Sequence, residues 1–189
     1  MSLIDRSYQS WQLQLQTWAE DGRFFSAGVE ALRLKPGQAT DQLKHIANRL
    51  AKGETRDLPS IEVLPGSAMP GAAGAYASSD NTIYLHANWL ESASNDQVIA
   101  VLNEEFGHHL DAQLNNSDTA GDEGELFAIL LSKETLESLN SDQLKAIRTE
   151  QDQGFIETPG GRKSVEFAVI TGTNTAETLT GTADAGRSG

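Results

Sequence analysis

The segment Val98-Ile99-Ala100-Val101-Leu102-Asn103-Glu104-Glu105-Phe106-Gly107-His108-His109-Leu110-Asp111 constrains the chain more than any other. It is apolar enough for a buried helix, yet it packs three carboxylates and two imidazoles into eight residues. At about 100° per residue, Ile99, Leu102, Phe106 and Leu110 form one stripe, while Glu104, His108 and Asp111 share the opposite face. Glu105 lies between the two faces, and His109 projects toward the apolar side. Such clustering on a largely apolar helix points to a metal site. The alternative is a pair of i, i+4 ion pairs, Glu104–His108 and Glu105–His109, steadying a central helix.

The spacing resembles the zincin motif HExxH, which needs a ligand first, a general base second and a second ligand fifth. Ending the motif on His109 would put Phe106 at the base position, where it could move no proton. Ending it on His108 gives Glu104-Glu105-Phe106-Gly107-His108, with Glu105 as the catalytic base. A carboxylate then stands where the motif has its first histidine. Zinc remains the expected ion, but the harder oxygen ligand also admits manganese, magnesium or calcium. The third ligand is expected to be Glu125, at the start of the following helix. Asp111 competes for that role, although seven residues of rise put it about 10 Å from Glu104. His109 and Tyr84 are accessory candidates for stabilising an oxyanion.

The chain of 189 residues suits one domain with a sizeable core, or a domain and a tail. A formal charge of −13 excludes a binder of the phosphate backbone or of anionic lipid, so neither nucleic acid nor membrane is an expected partner. Without cysteine there are no disulfides and no thiolate metal ligands. No signal peptide is expected at the N-terminus, where Asp5 and Arg6 interrupt any apolar run. No stretch is long enough to span a bilayer.

In chain order, Ile4, Tyr8, Trp11, Leu15 and Trp18 predict a first helix capped by Ser2. Phe24 to Leu34 predict a second. Leu43, Ile46, Ala47 and Leu50 predict a third, with His45 facing solvent. Strands are expected at Ile61–Leu64, Ala75–Ser78 and Thr82–His86, the last two as a hairpin turning at Ser79-Asp80-Asn81. His86, at its strand end, is expected to bond a neighbour, with a place facing the site as the alternative. Asn95 or Ser94 caps the central helix, and Asp122, Glu123 and Glu125 open the next, where they complement its dipole. A further helix follows Ser141-Asp142. Gly154–Glu157 and Ser164–Phe167 flank Pro159-Gly160-Gly161 as a second hairpin. Beyond residue 170 the chain is polar, with two Gly-Thr units nine residues apart, the period of nonapeptide calcium repeats.

Several of these stretches together resemble the N-terminal domain of large cyanobacterial RTX-type (hemolysin-type calcium-binding) secreted proteins. They are Asp5-Arg6-Ser7-Tyr8-Gln9-Ser10-Trp11, Gly66-Ser67-Ala68-Met69 through Gly74-Ala75-Tyr76, the Glu104–Asp111 motif, Gly121-Asp122-Glu123-Gly124-Glu125 and the glycine-spaced tail. The resemblance implies export to the medium or cell surface by a type I system reading a distant C-terminal signal, and calcium binding by the downstream repeats.

The expected fold is α+β and zincin-like. It comprises a helical part over 1–53, a strand-and-helix core over 58–170 and a flexible tail over 171–189. A small antiparallel sheet places its last strand, as the cleft edge, just before the metal-type helix. Two functions follow. The first is a metal-dependent peptidase acting on its own parent or on surface proteins. The second is a non-catalytic adhesion or assembly module whose Glu/His cluster is structural.

Overall fold

Three amphipathic helices open the computed structural model, which describes residues 2–132, 139–150 and 152–169. Ser2 caps α1 (Leu3–Glu20) by accepting from the Asp5 N–H, while the Asp5 carboxylate accepts from the Ser2 N–H. The expected stripe buries Trp11 and Leu15 completely and leaves Tyr8 and Trp18 packed at the core's margin. Gly22, at φ 83°, turns the chain into α2 (Arg23–Ala31), a conformation glycine enters at little cost. In α3 (Gln38–Leu50), Leu43, Ile46, Ala47 and Leu50 point inward, as their spacing requires, and His45 is exposed.

The sheet comprises β1 (Ser60–Leu64), β2 (Ala72–Ala77), β3 (Thr82–His86), β4 (Gln153–Thr158) and β5 (Gly161–Val169) in the order β1-β3-β2-β5-β4. Both expected hairpins form, β2 with β3 and β4 with β5. Two expectations are corrected. The sheet is mixed rather than antiparallel, because β1 runs parallel to β3 from Ser60↔Thr82 to Leu64↔His86. That pairing also covers the outer side of β3, so β3 is interior and the sheet's edges are β1 and β4. Alternation along the strands sends Tyr76, Ile83 and Leu85 into the main core. Ala75, Ala77 and Tyr84 join a smaller cluster with Leu64, Met69, Ile156 and Val165 on the other face.

His86 ends β3 by capping the short α4 (Ala87–Leu90), its Nδ1 accepting from the Trp89 N–H at 3.0 Å. Ser94 and Gln97 then form a reciprocal cap for the central helix α5 (Asn95–Leu114). This helix lies against β2 and β5 on one side and against α1 and α6 (Glu123–Leu131) on the other. Phe106 meets Trp11 edge-on with centroids 5.5 Å apart, and Phe24 meets Phe127 the same way at 5.7 Å. The Trp11 indole N–H donates to Asn103 Oδ1 at 2.8 Å, which satisfies both groups in the dry interior. Asn140 caps α7 (Ser141–Thr149). Among the described residues, no helix is long and apolar enough to cross a membrane.

Two glycines set the distance between α5 and α6. A Cβ on Gly107 would stand 2.7 Å from the Gly124 Cα, and one on Gly124 would stand 2.5 Å from His108 Nε2. Gly107→Ala gains about 1 kcal/mol in helix propensity. It must also push one backbone off another, an overpacking that costs about 1–3 kcal/mol or more. We expect a net loss of about 2 kcal/mol, measured as a lower urea midpoint at unchanged slope.

Candidate metal centre

His108 has no solvent exposure, and carboxylates face both of its ring nitrogens. Nδ1 lies 2.9 Å from Glu123 Oε1 and 3.4 Å from Glu166 Oε2. Nε2 lies 3.2 Å from Asp152 Oδ2 and 3.8 Å from Asp122 Oδ1. The groups come from four places: the carboxyl-terminal half of α5, the start of α6, the residue before β4 and the middle of β5. Asp122 is also the cap of α6, its Oδ1 accepting from the Glu125 N–H at 2.6 Å.

Hydrogen-bond accounting separates the two sides of the ring. Nδ1 lies in hydrogen-bond range of Glu123 and Nε2 faces Asp152, so the apo ring can carry protons on both nitrogens, and a metal at Nε2 would take the place of one of them. Nε2 and Asp152 Oδ2 are both buried, and neither makes a hydrogen bond. In a neutral ring protonated at Nδ1, Nε2 and Asp152 Oδ2 would be two acceptors 3.2 Å apart, which repel unless a proton or a metal ion lies between them. Bonds of about 2.1 Å meeting at about 90–110° hold two ligand atoms roughly 3.0–3.4 Å apart, so this separation fits a shared cation. Glu104, His108 and Asp122 can each bring one ligand atom within 4.8 Å of the others, as can the set His108, Glu123 and Glu166 on the opposite nitrogen.

The electrostatics agree with the geometry. Burial, then the charges of Asp122 and Glu105, raise the Glu104 carboxyl well above its ordinary range. Burial is also the main reason that Glu105 and Glu166 are each pushed up to about 8. Burial opposes charge on His108, but the hydrogen bond to Glu123 and the charges of Glu123, Glu105 and Glu166 outweigh it, so that imidazole is raised well above its usual range. One imidazolium does not balance this ring of carboxylates, whereas a divalent ion supplies much of the missing charge. One imidazole nitrogen with several carboxylate oxygens suits zinc or manganese better than calcium, which takes six to eight oxygens.

The other sequence candidates have different surroundings. Glu125 falls with Glu150 in an acidic group that shares Asp122 with the group around His108. Asp111 holds the loop after α5, accepting at Oδ1 from Thr119 Oγ1 (2.6 Å) and Asn115 Nδ2 (2.7 Å) and at Oδ2 from the Thr119 N–H (3.0 Å). It also falls in a group with Asp118 and Glu123. Glu105 is fully buried; its Oε1 accepts from the Ala168 N–H at 2.9 Å and its Oε2 has no partner. His109 stacks on Phe106 with centroids 5.3 Å apart, donates from Nε2 to the Asp57 carbonyl at 2.9 Å and accepts at Nδ1 from the Tyr76 hydroxyl at 3.2 Å. The Tyr84 hydroxyl donates to Asp80 at 2.7 Å in the hairpin turn, and its ring belongs to the small cluster on the sheet's other face.

Asp122, Glu123, Asp152 and Glu166 were not singled out as ligands in the sequence. The first two were visible as an acidic helix start, which dipole complementation also explains. Glu166 was readable only as a polar position alternating with Val165 and Phe167, and nothing local marks Asp152. The last described residues precede the glycine-spaced tail, so the expected calcium repeats lie outside them. Comparison of the chain with protein-family models, curated proteins and solved structures gives no match.

Proposed function

We propose that this chain is a metal-binding domain in which His108, Asp122 and Glu104 hold one divalent transition ion, zinc or manganese. Glu123 orients the imidazole from behind. The observation that carries this reading is the convergence of Glu104, His108 and Asp122, one ligand atom from each within 4.8 Å of the others, inside a buried ring of carboxylates that leaves His108 Nε2 without a hydrogen bond. The strand-before-helix order and the acidic helix that follows support a zincin-like arrangement, and the RTX-type resemblance supports a secreted or cell-surface setting. Elemental analysis of protein purified without chelator tests the reading. We expect one equivalent of metal in the wild type, lost in His108→Ala, reduced in Asp122→Asn and retained in Glu125→Gln. A wild type without stoichiometric metal would sink it.

Hydrolysis of a polypeptide at this centre is the second reading, and Glu105 favours it. Its carboxyl follows a proposed ligand in the chain, has one oxygen without a partner and is pushed up to about 8, so near neutral pH it can both accept and donate a proton. Its role would be to take a proton from the attacking water and return it to the leaving amine. Glu105→Gln should keep the metal and abolish any peptidase activity; activity surviving in that variant removes the reading.

A further inference from the structure

We propose that the groove between the end of α7 and the start of β4 binds an arginine side chain of a polypeptide. The groove has a volume of about 820 Å³, and Asp118, Gly121, Arg148, Glu150, Asp152 and Phe155 are among the residues that line it. Its charge is unbalanced, with three carboxylates against the single guanidinium of Arg148. Among the described residues, none of the three carboxylates pairs with a lysine or arginine. Glu150 deepens the imbalance, because its carboxylate gathers with those of Asp122 and Glu125, one oxygen of each within 4.8 Å of the others.

Two further features fit a planar cation. Asp152 is only 9 % exposed, and its buried Oδ2 makes no hydrogen bond. His108 Nε2, 3.2 Å away, does not complete one. A carboxylate oxygen withdrawn from water without a donor costs free energy, which a guanidinium N–H recovers. The second feature is Phe155, a ring 58 % exposed that holds a guanidinium from its own chain. Arg162 lies over it with Cζ 4.1 Å from the centroid. The exposed part of the ring offers the same kind of contact to an incoming arginine, whose planar head is weakly hydrated and stacks where a lysine would not.

The groove is fixed before any ligand arrives. Gly121, at φ 101°, lets its loop press against α7, since a Cβ there would stand 2.6 Å from the Arg148 Cα. The Asp122 N–H donates to the Ile147 carbonyl at 2.7 Å. Asp118 Oδ2 accepts from Gln153 Nε2 at 2.6 Å, and the Asp152 carbonyl accepts from the Phe167 N–H at 3.0 Å. Such a frame lowers the ordering cost of binding. Because Asp152 faces His108, a bound arginine lies beside the proposed ion. Binding needs only the groove; cleavage of the chain next to that arginine rests on the hydrolytic reading above.

Two capped pentapeptides test the inference, one with arginine between alanines and one with citrulline, its uncharged isostere, in the same place. Each is titrated into isotope-labelled full-length protein, and binding is followed by amide chemical shifts. The wild type should bind the arginine peptide at least about ten-fold more tightly than the citrulline peptide, the sum of a cation–π contact and solvent-accessible charge pairs. The shifts should centre on Gly121, Gly154 and Phe155. Asp118→Asn/Glu150→Gln changes two exposed positions and should remove most of the preference. Phe155→Leu should weaken the arginine peptide alone, by about three-fold. Equal affinity for the two peptides in the wild type, or a preference untouched in the double variant, overturns the inference. Both titrations are run in chelator and in zinc. An arginine preference in protein that takes up no zinc defeats only the metal centre, and zinc-loaded protein without the preference defeats only the groove.

Discussion

Zinc or manganese added to chelator-treated protein should raise its melting temperature by roughly 8–16 °C. A ligand that binds only the folded state at 1,000 times its dissociation constant stabilises by about 4 kcal/mol. For a chain of this size each kcal/mol is worth roughly 2–4 °C. The gain should be larger at pH 8 than at pH 6. Burial and like charges raise Glu104, and the carboxylates around His108 keep it protonated, so the ion must displace protons from both. His108→Ala should melt at one temperature with or without metal. The comparison also separates an ion site from an ion-pair network: a network gains nothing from added metal, and removing one partner leaves uncompensated buried charge. A wild type that melts at the same temperature in chelator and in metal would assign the cluster to ion pairing.

Acid should unfold the domain partly through the other histidine. Burial holds His109 down to about 4, and its hydrogen bonds to the Asp57 carbonyl and the Tyr76 hydroxyl serve the neutral ring. In the unfolded chain its pKa is about 6.5. The unfolded state therefore binds the extra proton first as pH falls. The stability contributed by His109 is fully present above about pH 6.5 and is lost by about pH 4, a change of about 3 kcal/mol. Glu105 and Glu166, raised to about 8, act in the opposite sense: they favour the folded state as pH falls from 8 toward their ordinary range near 4.5. The raw pH profile mixes the two. The difference between wild type and His109→Gln isolates the histidine and should shrink by about 3 kcal/mol between pH 7 and pH 4. A difference independent of pH would show that His109 titrates alike in the folded and unfolded chain, and so is not held neutral by the fold.

Local periodicity made most of the elements legible in the sequence. Trp11 and Leu15 in α1 and Leu43, Ile46 and Leu50 in α3 recur at helical spacing, and that spacing fixes which face is buried. The two hairpins were readable from their turns. The partner of β1 was not, because strand pairing across the chain depends on packing rather than on any local pattern. The same limit divides the site. Glu104 and His108 share one helix and were found together. The other groups around the ring arrive from α6, from the residue before β4 and from β5. The Asp152–His108 contact spans a separation that no motif encodes.

The glycine crossing of α5 and α6 also bears on which ion the centre would accept. Helices held apart by side chains can shift as those side chains change rotamer. Here the Gly107 and Gly124 backbones meet directly beside Glu104 and His108, so the spacing of the two segments that carry the proposed ligands has almost no slack. Discrimination between hard cations depends on the size and stiffness of the cage as well as on its donors. The frame around His108 would therefore select by ionic radius, admitting a small ion at short bond lengths and penalising one that needs a wider shell.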